Sequence, residues 1–342
     1  MDPEDFNFPY TATGLTNQVN RIPNQYGLIR ELGIFSEEGI ASTVVEIRIE
    51  DGIIKVLSAK ERGAAAQEGD REAGSTIFMD VPHFPHKDTI TPKDIQDILI
   101  VIARSKQPNT LAVEVAKRLN NMRRNHDVTL EYMRMGALKG VIKDGAGTTL
   151  RNLFTVFGIT KKTVDFVLGT STTDIIAKCE EVSDHIITHL KGEVSNGVEV
   201  QVSSSFFNKL IQHAKVEKYW TNAQQALALA NMNRDRTGGN WGRVFDFQNI
   251  RFLENKTVFP IGAGEAAIAA GYGHAYPTGT MDTFNTFFAP PDTLEGANKP
   301  GDNIFISPKA LDHGKGIELW SESNPLAICK RPEVLVEVST SN

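Results

Sequence analysis

The sequence has few cysteines, no long apolar run and no excess of positive charge. Its two cysteines, Cys179 and Cys329, exclude a disulfide framework, and there is no CxxC pair for a structural zinc site. The longest unbroken apolar run, Ile98–Ala103, is far shorter than the roughly 20 residues that span a bilayer. The N-terminus is acidic and lacks the apolar segment of a secretory signal. These absences favour a soluble protein that is made and kept in a reducing cytoplasm.

The charge balance limits the partners that the chain can bind. Lys and Arg total 36 against 42 Asp and Glu, giving a formal net charge of -6. Proteins that bind nucleic acid tightly concentrate Lys and Arg against the phosphates, so this total argues against such binding. With 342 residues, of which 40% are hydrophobic, the chain can form one large or two medium domains.

The motifs of nucleotide-binding enzymes are incomplete. Gly262–Ala267 (GAGEAA) matches the loose dinucleotide fingerprint GxGxxA, but that motif must lead into a helix whose N-terminus meets the pyrophosphate. Here the helix would run into Gly271, Gly273 and Pro277. Neither a GxxxxGK[ST] phosphate loop nor a GxSxG elbow is present. We therefore expect a loop at this position, and no NAD, ATP or other cofactor.

The histidine pairs have spacings that metal ligands use, but they lack the rest of a metal site. His185 and His189 lie four residues apart on a predicted helix and could share one face. No Glu follows His185, and no third histidine lies nearby. His83 and His86 fall in a segment that we interpret as a Pro-rich turn. We expect neither a metal site nor a catalytic site.

The N-terminal part of the chain predicts an arm followed by a long loop. Residues 1–42 are rich in Asn, Pro, Gly and Thr, without sustained periodicity, which indicates an extended arm. Ser42–Glu50 alternates apolar and charged residues as a half-buried strand does. Residues 58–76 mix Ala, Gly and charges, with too few large apolar side chains to offset the entropy of ordering. We predict a protruding hairpin or loop, which is either a surface insertion or a segment that becomes ordered on a neighbouring subunit. In the second case, the inter-subunit contacts would come from Lys60, Glu61, Arg62, Glu68, Asp70, Arg71 and Glu72.

A long helical pattern follows. Apolar residues recur in steps of three and four, with one gap at His126, and predict a helix over 109–141. They are Leu111, Val115, Leu119, Met122, Leu130, Met133 and Val141. The residues that fall largely off this stripe are Arg118, Arg123, Arg124, Glu131 and Arg134. Such a helix would be about 50 Å long at 1.5 Å per residue, whereas globular helices average about 11–12 residues. A helix of this length would serve as a spine across a broad domain.

Beyond Gly145 the pattern becomes a mixture of helices and strands. Asp174 begins a helix, Val198–Val202 alternates as a strand, and Ser203 caps the next helix. The C-terminal segments 316–320, 326–329 and 334–338 read as strands, with a turn at Ser323–Pro325. The fold class predicted from these patterns is α+β.

Four segments, in this order, resemble the major capsid proteins of tailed bacteriophages, and most closely the family of the phage lambda major head protein E. They are Ala137–Ile142, Phe206–Ile211 with His213 and Val216, Phe284–Pro291, and the most specific segment, Gly316–Val336. The similarity extends over roughly residues 30–340. It implies the HK97-type fold, with an N-terminal arm, an extended β-hairpin loop, a peripheral domain with a long spine helix, and an axial domain.

The resemblance also implies a division of the chain and a function. The arm would be 1–42, the extended loop 43–90, the peripheral domain 91–144 together with 312–342, and the axial domain 145–311. The expected function is a structural one: self-assembly into hexamers and pentamers of an icosahedral head that encloses the DNA genome. The expected partners are other copies of the chain, a portal, and scaffold, protease or decoration proteins. DNA would be contacted only non-specifically, there would be no membrane partner, and the virion would be assembled in the bacterial cytoplasm.

Two alternatives remain open at this point. The same fold forms cellular nanocompartments of the encapsulin type, which hold an enzyme cargo. A cytosolic nucleotide-binding enzyme is supported only by the Gly262–Ala267 match.

Overall fold

The computed structural model describes residues 11–22, 27–49, 75–95, 110–222, 242–294 and 296–342. Its helices include Ala12–Arg21 (α1), Leu28–Glu31 (α2), Thr110–Lys139 (α3), Leu153–Val156 (α4), Ile175–His189 (α5) and Ser204–Gln212 (α6). Its first nine strands are Ser36–Gly39 (β1), Val44–Ile49 (β2), Ser75–Asp80 (β3), Phe84–Ile90 (β4), Val141–Lys143 (β5), Thr149–Asn152 (β6), Lys162–Asp165 (β7), Gly197–Val202 (β8) and Val244–Phe247 (β9). The other nine are Ile250–Glu254 (β10), Val258–Phe259 (β11), Glu265–Ala266 (β12), Tyr272–Thr278 (β13), Phe284–Phe288 (β14), Phe305–Ala310 (β15), Ile317–Ser323 (β16), Pro325–Cys329 (β17) and Val336–Ser339 (β18).

The predicted spine helix is confirmed as α3, which has 30 residues and a length of about 45 Å at 1.5 Å per residue. Its fully buried stripe residues are Val115, Leu119, Met122, Leu130 and Met133. Gly140 ends the helix with a φ of +77°, a left-handed conformation that glycine adopts without steric cost. Val141 therefore lies beyond the helix, in β5, and not on its stripe.

Two hydrophobic cores lie along the spine. In the smaller one, α1 and the first half of α3 pack on a three-stranded antiparallel sheet of order β15-β16-β4. In the larger one, the second half of α3 packs with α5, α6 and a six-stranded mixed sheet of order β7-β18-β13-β8-β10-β9. A third sheet, of order β1-β14-β17, contributes Phe284, Phe287 and Ile328 to the larger core. The long helix thus contributes side chains to both cores.

The prediction of an extended arm over 1–42 is wrong for its described part. Thr11 caps α1 by accepting a hydrogen bond from the Gly14 amide at 3.1 Å. Leu15 and Val19, one turn apart, are completely buried in the smaller core. Two anchors in a helix of otherwise small and polar residues stabilise it through packing, although they are too few to stand out as a periodic pattern.

The last part of the segment predicted as the extended loop, 43–90, pairs with another strand of the body. Residues 84–90 form β4, which pairs with β16 along its whole length, so His86 lies in a strand and not in a Pro-rich turn. His83 lies in the short connection between β3 and β4. Pro85 is compatible with this strand because β4 lies at the edge of its sheet, where a missing backbone donor is tolerated.

Strand pairing crosses the predicted boundary between residues 311 and 312. β15 lies before that boundary and β16 after it, yet they are hydrogen-bonded neighbours. β18, at the C-terminus, lies between β7 and β13 in the six-stranded sheet. The turn predicted at Ser323–Pro325 is wrong as well, since Asn324 joins strands of two different sheets and not the arms of a hairpin. The division into domains remains a prediction.

Candidate functional site

The glycine motif has no nucleotide-binding geometry. Gly262 and Gly264, with φ of +58° and +108°, form the turn of a two-stranded hairpin between β11 and β12. The segment after Ala266 contains no helix before β13 begins. The helix N-terminus that would meet a pyrophosphate is therefore missing from this part of the structure, and the predicted loop is confirmed.

Both histidines of the predicted pair on α5 make hydrogen bonds to backbone carbonyls. His185 Nε2 donates to the Glu333 carbonyl at 3.1 Å, and His189 Nδ1 donates to the His185 carbonyl at 2.7 Å. In the described ranges, no cluster of three or more His, Cys, Asp or Glu could hold a metal ion. Both cysteines are buried, and burial raises the pKa of the Cys179 thiol to about 12, so neither is activated as a nucleophile.

The base of the predicted hairpin is present and has two different faces. β2 and β3 pair antiparallel, with Val45 opposite Met79 and Ile47 opposite Ile77. These four side chains form the inner face and pack on the larger core. Phe78 lies on the outer face and is 68% exposed. The hairpin is thus fixed to the body on one side and presents an aromatic ring to solvent on the other.

The charged residues predicted to make inter-subunit contacts, at positions 60–72, lie outside the described residues. The last described pair of the hairpin is Ile49 with Ser75, the two residues that flank the segment 50–74 in the sequence.

The spine carries buried charged residues that the sequence pattern did not predict to be buried. Glu131 is one of them, at 5% exposure. Its Oε1 accepts a hydrogen bond from the Ile29 amide at 2.6 Å, which satisfies the N-terminus of the short helix α2. Burial raises the pKa of this carboxyl, while the amide bond and the nearby Arg134 and Arg30 oppose that rise. A residue of the spine therefore caps a helix that lies about 100 positions earlier in the chain.

Arg134 joins the spine to the third sheet. Its guanidinium donates to Glu37 Oε1 on β1 at 2.8 Å and to Thr286 Oγ1 on β14 at 3.1 Å. It also lies 5.7 Å from the centre of the Phe35 ring. The side chain is only 2% exposed, so these contacts replace nearly all of its hydration.

A third group of charges fastens the N-terminal segment to the middle of the spine. Arg123 Nε donates to Asp127 Oδ2 at 3.0 Å, and its Nη1 donates to Asn20 on α1 at 3.4 Å. Asp127 in turn lies 3.6 Å from Arg30 of α2. Because α1, α2 and β1 all attach to charged residues of α3, we call the set Arg123, Asp127, Glu131 and Arg134 the spine clamp. Its members reach partners in the segment 20–37, next to the base of the hairpin.

The gap in the apolar stripe at His126 marks another polar contact. His126 Nε2 lies 3.0 Å from Ser321 Oγ on β16, and that hydroxyl donates to the His86 carbonyl on β4. Burial, with His86 and Arg123 nearby, lowers the pKa of His126 to about 4, so the ring is neutral near pH 7. The break in periodicity was the one sequence signal that the spine has polar partners as well as apolar ones.

Comparison with known proteins gives matches along nearly the whole chain. Residues 11–340 match the family described as phage major capsid protein E. The chain is 30% identical to the major capsid protein of Salmonella phage Felix O1, covering 95% of this chain and 94% of that protein. It is 34% identical to the major capsid protein of Pseudomonas phage KPP10, covering 97% and 96%.

Solved structures agree on the fold. The chain is similar to a protein assigned as the capsid protein of a prophage of E. coli CFT073, with a TM-score of 0.60, 13% identity and coverage of 98% and 100%. It is also similar to the capsid of Ralstonia phage GP4, with a TM-score of 0.51, 12% identity and coverage of 91% and 88%. At these identities the likeness establishes the fold, which is the HK97-type fold of phage capsid proteins. Over the described ranges, no helix is both long and apolar enough to cross a bilayer.

The family match and the two major capsid proteins establish the identity of the chain. It belongs to the phage major capsid protein E family and is a structural protein of the virion shell.

Proposed function

We propose that this chain assembles as hexamers and pentamers into an icosahedral head that encloses the DNA genome, and that the hairpin makes a principal contact between neighbouring subunits. The observation that carries the contact is the two-faced base of the hairpin. Val45 and Met79 hold it on the core, whereas Phe78 on the opposite face is 68% exposed. Aromatic residues are enriched in the surfaces that become buried on association, which supports a contact at Phe78.

The proposal keeps the predicted roles of the chain segments. Residues 60–72 supply polar contacts to a neighbour, the part around the spine forms the shell wall, and residues 145–311 contain the axial part that meets around the symmetry axes. The spine clamp supports this arrangement, because it binds Asn20, Ile29 and Glu37 to α3, and Glu37 lies on β1, the strand that precedes the hairpin.

A phage head of this kind implies further protein partners. We propose that a portal occupies one vertex, that scaffold, protease or decoration proteins take part in assembly, and that assembly takes place in the bacterial host's cytoplasm. The net charge of -6 argues against tight binding of packaged DNA, since a strongly basic wall would hold the genome tightly, so we propose that contact with DNA is weak and non-specific.

Replacing Lys60–Gly74 by a short Gly-Ser linker tests the role of the hairpin. A surface segment that contributes nothing to the core changes subunit stability by only about 0.5 kcal/mol, so the melting temperature of unassembled protein should stay almost the same. Assembly should fail or need a much higher protein concentration, because the lost contact recurs at every subunit.

The matched control uses adjacent residues that face opposite sides. Phe78→Ser should weaken assembly without changing subunit stability, whereas Met79→Ser should destabilise the subunit itself, since Met79 is 1% exposed. Sedimentation of each variant against the parent protein measures both effects. If the linker variant and Phe78→Ser both form shells at the same concentration as the parent protein, the hairpin makes no essential contact.

A further inference from the structure

A cavity of about 420 Å³ lies beside the last two turns of the spine helix, between α3, β5 and one face of the six-stranded sheet. Its charged and titratable lining residues include Lys139, Lys143, Lys161, Glu265, His274 and Glu337. Since a water molecule takes about 30 Å³ in the liquid, the cavity has room for a small ion and several waters. Neither the hairpin nor the spine clamp contributes to it.

The two carboxylates of the cavity already have partners. Glu265 Oε2 accepts a hydrogen bond from the Tyr132 hydroxyl at 3.0 Å, and Glu337 forms an ion pair with Lys161. The side chains of Lys139 and Lys143, by contrast, make no hydrogen bond or ion pair within the described part of the chain. Three ammonium groups therefore share the cavity with two carboxylates, and two of the three are not directly paired.

His274 adds an unpaired donor to the same space. It lies on β13, opposite Gln201 of β8 on one side and Glu337 of β18 on the other. The residue is 7% exposed and lines the cavity, and its ring has no hydrogen-bond partner among the described residues. Burial, with Lys139 and Lys161 nearby, lowers the pKa of His274 to about 3, so the ring is neutral and carries one N–H.

The end of the spine helix accounts for only part of this positive charge. A helix C-terminus is equivalent to about half a negative charge, and Lys139, the last residue of α3, is placed to offset it. Lys143 lies on β5, beyond the helix, and has no such role. An excess of positive charge thus remains, together with donors that have no acceptor.

We propose that this cavity binds an oxyanion, a phosphate or a carboxylate, through the ammonium groups of Lys139 and Lys143 and the ring N–H of His274. All three groups are donors, and an anion with several acceptor oxygens would satisfy them together. The oxyanion could come from solution, as inorganic phosphate, or from an Asp or Glu side chain of a second copy of the chain. The first source is independent of the proposed shell assembly, and the second rests on it.

Binding should depend on pH through Lys139. Burial lowers its pKa to about 8, with Lys143 of β5 and Lys161 acting in the same direction and Glu265 of β12 opposing them. Glu337 of β18 and the neutral His274 of β13 complete the groups around the cavity. Above this pH the amine becomes neutral, so affinity for the anion should decrease as the pH rises through about 8.

Calorimetric titration of inorganic phosphate tests the site directly, in unassembled protein and in assembled shells. The parent protein should bind phosphate, and Lys139→Met should weaken binding by about tenfold or more, the usual effect of losing one charge-assisted hydrogen bond. The matched control is Lys309→Met, since Lys309 is exposed on β15 and does not line the cavity. If unassembled protein binds phosphate but shells do not, a carboxylate of a neighbouring copy fills the cavity in the shell. If both bind, the ligand is a free anion.

Chemical labelling gives a second measurement that needs no variant. An amine-reactive ester at pH 8 should modify Lys139, and phosphate should protect it but not Lys309, as read by mass spectrometry of the digested protein. The proposal is wrong if phosphate binds neither form of the protein. It is also wrong if Lys139→Met binds phosphate as well as the parent, or if phosphate leaves the labelling of Lys139 unchanged.

Discussion

Arg134→Met provides the sharpest test of the spine clamp. The substitution keeps most of the aliphatic stem but removes the guanidinium, which donates to Glu37 and Thr286 and lies over the Phe35 ring. Those two acceptors lie on β1 and β14, so the change separates the spine from the third sheet without altering either strand.

The expected loss follows from the burial of the two ionic partners. Breaking a fully buried ion pair by removing one member costs about 3–5 kcal/mol. Arg134 is 2% exposed, but the Glu37 side chain is 38% exposed and lies 3.8 Å from Arg30, so its carboxylate is rehydrated and keeps a second cation. We therefore expect a loss of about 2–3 kcal/mol in the free energy of unfolding, below the full penalty for a buried pair.

Urea unfolding of unassembled protein, followed by circular dichroism, measures this loss. The matched control is Arg124→Met, because Arg124 lies on the same helix and is exposed, and its loss should stay within about 1 kcal/mol, the upper range for an exposed charged contact. Arg134→Lys should recover only part of the stability, since an ammonium group cannot reproduce the forked geometry that reaches both acceptors. Equal losses for Arg134→Met and Arg124→Met would refute the reasoning.

The remaining predictions concern the helix, the shell contact and pH. Leu119→Pro should cost about 3 kcal/mol or more by breaking the middle of α3, and the yield of folded protein should collapse; a stable subunit with unchanged circular dichroism would contradict the helix. Phe78→Ser should raise the critical concentration for assembly, measured by light scattering, while the subunit melting temperature stays constant. Burial lowers the pKa of His126 from 6.5 to about 4 in the folded protein, so protonation favours the unfolded chain. Stability is therefore full above pH 6.5 and should fall by about 3 kcal/mol between pH 6.5 and 4, a decrease that His126→Asn should remove from a pH series of urea midpoints.

The elements that were predicted correctly are those determined by local pattern. The spine repeats apolar residues over 30 positions, and Asp174 and Ser203 cap α5 and α6 through side-chain acceptors only two or three residues away. The strand β8 alternates as its sequence suggests, although all but its first residue are buried.

The features that were missed depend on contacts between distant parts of the chain. Glu131 and Ile29 are 102 positions apart, so nothing near Glu131 indicates that its carboxylate is buried against a backbone amide. Arg134 likewise looks like a surface residue of an amphipathic helix until β1 and β14 cover it. The helix α1 escaped detection because its burial rests on Leu15 and Val19 alone. Spacing alone cannot predict which side of a helix receives a second layer of structure.

Electron microscopy of the purified full-length chain over a range of concentrations tests the central claim most directly. If the chain forms a phage head, closed particles of uniform diameter with rings of six and five subunits should appear above a critical concentration. The linker variant lacking Lys60–Gly74 should not form them at that concentration. Dispersed single chains at every concentration, from a protein that is folded by circular dichroism, would contradict self-assembly into a shell.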